Sequence, residues 1–87
     1  MRLTIETKNR QELIPELDRM SLDYGIHEKN GIQQPAELRV YTKGGHYIEI
    51  IYSDDSKLSA IFFAIRNAID KGAKGYVVYC EDMKVEG

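Results

Sequence analysis

The chain predicts an α+β fold in which two helices cover one face of a four-stranded antiparallel sheet. Three observations point to it. The 87 residues suit a single domain, 1–87. Four segments read as strands, by period-two alternation or by β-branched and aromatic content, and two repeat apolar side chains at helical spacing. Their order is β-α-β-β-α-β.

Residues 2–7 (RLTIET) read as a half-buried strand, with Leu3 and Ile5 on one side and Arg2, Thr4 and Glu6 on the other. Next, Asn9-Arg10-Gln11-Glu12 has capping-box form, and Leu13, Leu17, Met20 and Tyr24 recur at helical spacing. Pro15 interrupts this pattern, because an interior proline deletes a hydrogen bond and clashes one turn back at a cost of about 3 kcal/mol. The spacing favours a helix over 10–23 with a distorted start, ended by Gly25. Residues 25–36 (GIHEKNGIQQPA) read either as a small hairpin, Ile26–Lys29 against Ile32–Gln34 across an Asn30-Gly31 turn, or as a loop.

Residues 37–43 (ELRVYTK) alternate, with Leu38 and Val40 on one side and Arg39, Tyr41 and Lys43 on the other. Gly44-Gly45 makes a tight connection to 46–52 (HYIEIIY), whose inward residues are Ile48, Ile50 and Tyr52. The clearest element is the helix at 54–72. Leu58, Ile61, Phe62, Ile65 and Ile69 form its apolar stripe, Asp54, Asp55 and Ser56 its start, and Lys71-Gly72 its stop. Residues 75–81 (GYVVYCE) read as a strand rich in β-branched and aromatic side chains, followed by a polar tail that frays or extends it. The simplest arrangement of these elements is the split βαβ, ferredoxin-like two-layer sandwich, with the first and third strands central.

A net charge of −2 and a pI near 5.6 argue against a nucleic-acid binder, whose affinity rests on neutralising phosphates. Cys80, the lone cysteine, lies in an apolar run and reads as a buried small hydrophobe with no partner for a disulfide. No apolar leader follows Arg2 and no apolar run approaches the ~20 residues that span a bilayer. The expected setting is soluble, reducing and cytoplasmic.

Candidate chemistry is sparse. His27 and His46 are far apart and lack the paired spacing of a zinc site. Asp54 and Asp55 are explained by helix capping. No nucleophile elbow or phosphate-cradling loop opens a helix. No cofactor, metal or catalytic site is read from the chain, and it is expected to be non-enzymatic.

Two surfaces remain. At about 100° per residue Phe63 falls outside the apolar stripe, one turn from Ala60 and Asn67, which suggests a helix surface that meets another surface. The sheet face that two helices leave bare would carry Arg39, Tyr41, Tyr47 and Ile51, with tyrosine and arginine enriched in binding surfaces. On that face Lys43-Gly44-Gly45-His46-Tyr47-Ile48-Glu49-Ile50 shares a Lys, a Gly and one aromatic with the third-strand pattern of RNA-recognition modules. It lacks the first aromatic, and the first strand offers no stacking ring. No family is assigned on it.

The expectation is a small interaction protein that binds another protein, of adaptor or inhibitor type, phage-encoded antagonists of host defence included, and that forms a homodimer. The alternative is a nucleic-acid or nucleotide binder that uses the open sheet.

Overall fold

A computed structural model describes residues 1–25, 28–29, 31–33 and 35–86. It is an α+β domain of seven strands in two sheets, one helix and a two-stranded hairpin among the described residues. The first sheet holds β1 (Arg2–Glu6) at its centre, between β2 (Gln11–Ile14) and β8 (Gly75–Tyr79). The second is wholly antiparallel, in the order β3 (Leu17–Asp23), β6 (Glu37–Thr42), β7 (Tyr47–Ile51), β9 (Asp82–Glu86). The hairpin pairs β4 (Glu28–Lys29) with β5 (Ile32–Gln33). Ile26, Asn30 and Gln34 of the hairpin reading, and His27, lie outside the described residues.

The ferredoxin-like expectation is overturned, because one helix stands where two were expected. Residues 10–23 form β2 and β3, not a helix. Pro15 decides the matter. It cannot donate the helical hydrogen bond, and it drives Ile14 before it into extended backbone, so the chain turns a corner between two strands. The Asn9 capping box is replaced by a hairpin turn built on Thr7. Its N–H donates to Arg10 O at 2.8 Å, and its Oγ1 accepts from the N–H groups of Asn9 and Arg10 at 3.2 Å each. Leu17 N–H donates to Met1 O at 2.9 Å and ties the start of β3 to the chain's beginning.

The last part of the chain also differs from the reading. The strand at 75–79 runs parallel to β1 in the small sheet. The tail is a separate strand, β9, beside β7 in the large sheet. Met83 alternates there with Asp82 and Lys84 and is buried, which a period-two reading of the tail would have marked. The Tyr76 and Tyr79 ambiguity resolves with Tyr76 packed on the core and Val77 and Tyr79 outward.

The remaining elements follow the sequence pattern. The β6–β7 connection is closed by Thr42 N–H to His46 O at 2.8 Å and Gly45 N–H to Thr42 O at 3.2 Å, with Gly45 at φ 84°. That left-handed position needs glycine. Helix α1 (Asp55–Asp70) starts at the Asp54 cap, whose carboxylate accepts from Ser56 N–H. It ends in a Schellman turn, with Gly72 N–H donating to Ile69 O and Ala73 N–H to Ala68 O, both at 2.9 Å, and Gly72 at φ 74°.

The core lies between the two sheets and the helix. Leu3 and Ile5 from β1, Leu38 and Val40 from β6, Ile50 from β7 and Ile65 from α1 are almost fully buried there. Leu58 is also buried, and Ile61 and Phe62 pack against the cluster. Ile69 departs from the expected stripe and is 43% exposed, because the small Ala68 takes the buried place in the last turn. Cys80 is wholly buried where β8 passes to β9, with its Sγ donating to Asp82 O at 3.2 Å. Beside it, the Glu81 carboxylate accepts from Ser53 N–H and, at 3.2 Å, from Ser53 Oγ, which locks the β8–β9 corner to the entry of the helix.

Candidate functional site

Alternation along the large sheet sends Leu38, Val40, Ile48 and Ile50 to the core. Arg39, Tyr41, Tyr47 and Glu49 then fall on the opposite, outer face. Helix α1 packs on the core side, so it does not cover this outer face. The antiparallel registers set two rows across all four strands. One runs Arg19, Tyr41, Tyr47, Glu86 and the other Ser21, Arg39, Glu49, Lys84. Ile51, opposite Asp82, lies at the end of the face and is 36% exposed.

The first row is a contact ladder. The Arg19 guanidinium carbon lies 3.8 Å from the centre of the Tyr41 ring. The Tyr41 and Tyr47 rings meet at 5.3 Å between centres with a 45° tilt. The Arg39 guanidinium carbon sits 5.0 Å from the Tyr47 ring centre and links the rows. Each guanidinium thus faces the negative π cloud of a tyrosine, and the planar groups brace one another. Arg39 also donates through Nη2 to Glu37 Oε2 at 2.9 Å, and its Nε lies 3.7 Å from Glu49 Oε1, too far for a hydrogen bond.

Charges of both signs alternate over the face. Lys84 Nζ pairs with Glu86 Oε1 at 3.2 Å, and the hydrogen bond from that pairing holds the ammonium above its ordinary pKa. At the β6 end Lys43 Nζ pairs with Glu16 at 3.0 Å, which raises the lysine and lowers the carboxyl. This is a half-exposed surface of mixed charge and not a uniform basic track.

The other expected surface is also on the outside. Ala60, Phe63 and Asn67 are exposed on α1, with Phe63 47% exposed and edge-on to Phe62 at 5.5 Å and 83°. Phe63, Arg66, Asn67 and Asp70 line a shallow hollow of about 190 Å³. Because α1 packs on the core side of the large sheet, this patch and the tyrosine face lie on different sides of the molecule. The structure groups Arg39, Tyr41, Tyr47 and Ile51 on one surface and Ala60, Phe63 and Asn67 on another.

Arg19 is the residue the sequence reading missed. A helix over 10–23 gave it no place on the sheet. The signal was present in 19–23, where Met20 and Leu22 alternate with Arg19, Ser21 and Asp23.

Among the described residues no group of three or more His, Cys, Asp or Glu is arranged to hold a metal ion, and no helix is long and apolar enough to cross a membrane. Comparison with protein-family models, curated proteins and solved structures found no match.

Proposed function

We propose that this chain is a non-enzymatic interaction protein that binds another protein through the outer face of its large sheet. The observation that carries this reading is the Arg19–Tyr41–Tyr47 ladder with Arg39 against its second ring. Tyrosine and arginine are the side chains that most often dominate binding energy, since they offer large contact area with a polar tip. Here they are held in place before any partner arrives, so ordering them on binding costs little. The carboxylates of Glu37, Glu49 and Glu86 interleaved with the cations favour a protein surface of mixed charge over a phosphate backbone.

The test uses the purified chain as bait in a lysate of its native cell, followed by titration of the captured protein, itself purified, by calorimetry. Replacing Tyr47 or Arg39 with Ala is expected to weaken that binding at least tenfold while Phe63→Asp leaves it unchanged. Equal affinity for wild type and both outer-face variants overturns the reading. Salt-sensitive binding of mixed oligonucleotides, lost in the same variants, replaces it with the nucleic-acid alternative.

A further inference from the structure

We propose that the edge of β8 that no described residue pairs is a self-association site, where a second copy of this chain pairs its own β8 antiparallel to the first and joins the two small sheets into one of six strands. This goes beyond the outer-face reading. It uses the other sheet, and either proposal stands if the other falls.

The edges of the two sheets differ in kind. β3 carries Asp18, Arg19 and Asp23 and a register shift between Leu17 and Arg19. β9 carries Asp82, Lys84 and Glu86. β2 carries the Glu12 that pairs with Arg10, and it runs into Pro15. Charges, irregular pairing and proline are the devices that keep an edge strand from pairing with another chain. β8, Gly75-Tyr76-Val77-Val78-Tyr79, has none of them, and its residue types favour strands. Among the described residues it pairs with β1 alone. Val77 and Tyr79 are 60% and 59% exposed.

Backbone direction fixes which residues are available. Arg2 N–H donates to Lys74 O at 3.0 Å and Cys80 N–H donates to Glu6 O at 2.9 Å. In a parallel ladder the residues of one strand turn alternately toward and away from the neighbour. Tyr76 and Val78 therefore bond β1, and the N–H and C=O groups of Gly75, Val77 and Tyr79 point to the open edge.

An antiparallel two-fold centred on Val77 sets Val77 opposite Val77 of the second copy and Gly75 opposite its Tyr79. All three outward residues then exchange both bonds with an outward partner, which makes six new hydrogen bonds. Shifting the centre by two residues loses an end pair on each side, so this register is the best satisfied.

Side chains and charge agree with it. The ring of Tyr79 gains the flat backbone of Gly75 to lie over, and aromatic cover of an edge glycine is a known stabilising device. The Leu13–Thr4–Val77 row of the small sheet becomes a continuous stripe across the two-fold axis. β8 is uncharged, preceded by Lys71 and Lys74 and followed by Glu81 and Asp82. Antiparallel apposition sets the cationic end of one copy beside the anionic end of the other, whereas parallel apposition sets like beside like.

The test is sedimentation over a concentration series with the full chain. Wild type is expected to sediment as a dimer in equilibrium with monomer. Gly75→Lys with Tyr79→Lys places like charges opposite each other twice and is expected to give monomer at every concentration. Gly75→Glu with Tyr79→Lys places opposite charges there and is expected to restore the dimer. A Cβ at Gly75 meets its nearest neighbour, Arg2 O, at 3.6 Å, an ordinary contact, so these side chains fit the folded chain. Val77→Cys provides a readout that does not depend on the lysine variants. Its two thiols lie opposite each other on the two-fold, so oxidation is expected to crosslink the dimer, and Tyr79→Cys is expected not to crosslink. A wild type that stays monomeric throughout overturns the proposal. So does a dimer insensitive to the lysine pair, or one abolished by Phe63→Asp, which would assign self-association to the helix.

Discussion

The Arg19 guanidinium lies 3.8 Å over the Tyr41 ring, reaching from an edge strand to its neighbour. Tyr41 in turn leans on Tyr47, so a single contact at the margin is coupled to the middle of the sheet. A cation over a tyrosine at an exposed site contributes about 0.5–1 kcal/mol. A double-mutant cycle with Arg19→Ala and Tyr41→Leu, followed by urea unfolding, is expected to give a coupling energy of about that size. The coupling should persist in high salt better than an exposed ion pair does, because the ring carries no net charge to screen. A value near zero would mean that the two groups are merely adjacent.

Leu13 and Ile14 make a sharper test of the fold. In the strand arrangement Ile14 is 1% exposed opposite Leu3, and Leu13 is 53% exposed. A helix over 10–23 would reverse them, placing Leu13 on the buried stripe. Ile14→Ala is therefore expected to cost about 2–5 kcal/mol by chemical denaturation, and Leu13→Ala no more than about 0.5 kcal/mol. The opposite ranking would restore the helix.

That pair also shows where the sequence could be read and where it could not. Leu38–Val40 and Ile48–Ile50 alternate without interruption, and a Gly-Gly turn joins them, so the central hairpin and its outer face with Arg39, Tyr41 and Tyr47 were legible. So was α1, whose cap, stripe and stop agree with one another. Residues 10–23 were not, because Leu13, Leu17 and Met20 fit a 3.6-residue period while Met20 and Leu22 fit a period of two. Pro15 tips the balance between these readings, through its missing donor and through the extended backbone it imposes on Ile14. Arg19 was lost from the site with that choice. The split into two sheets was hidden for a different reason: pairing partners are set by tertiary packing, and nothing local in Gly75–Tyr79 states that β1 is its neighbour or that the partnership is parallel.

Cys80 offers a chemical probe of the corner between the sheets. Burial pushes its thiol above the ordinary value, with Asp82 adding to the shift. A thiol-reactive reagent is expected to modify it slowly in the native protein and quickly in denaturant, since the thiolate is the nucleophile. A raised pKa means that the folded state holds its proton while the unfolded state releases it above about pH 8.5. Stability from this group is thus full below that pH and falls as pH rises through it toward the folded value. Cys80→Ala is expected to lose less stability than wild type between neutral and alkaline pH, measured as the shift in the denaturation midpoint. Equal shifts would mean that the thiol contributes nothing to the alkaline loss.

Asp54 makes the opposite case at acid pH. Its Oδ1 accepts from Ser56 Oγ at 2.7 Å and from Ser56 N–H at 2.9 Å. The hydroxyl bond first and the backbone bond second hold its carboxyl below the ordinary value. Such a group contributes stability above its unfolded pKa, about 3.9, and loses that contribution as pH falls through the lower folded value. Asp54→Ala is expected to melt at a lower temperature than wild type at neutral pH, with the gap narrowing in strong acid to the part that a neutral capping oxygen supplies. Asp54→Asn keeps an oxygen that accepts from the helix start but carries no charge, so it is expected to fall between the two at neutral pH and to show no such narrowing relative to Asp54→Ala. A gap between Asp54→Ala and wild type that does not change with pH would place none of the effect in the cap's ionised state.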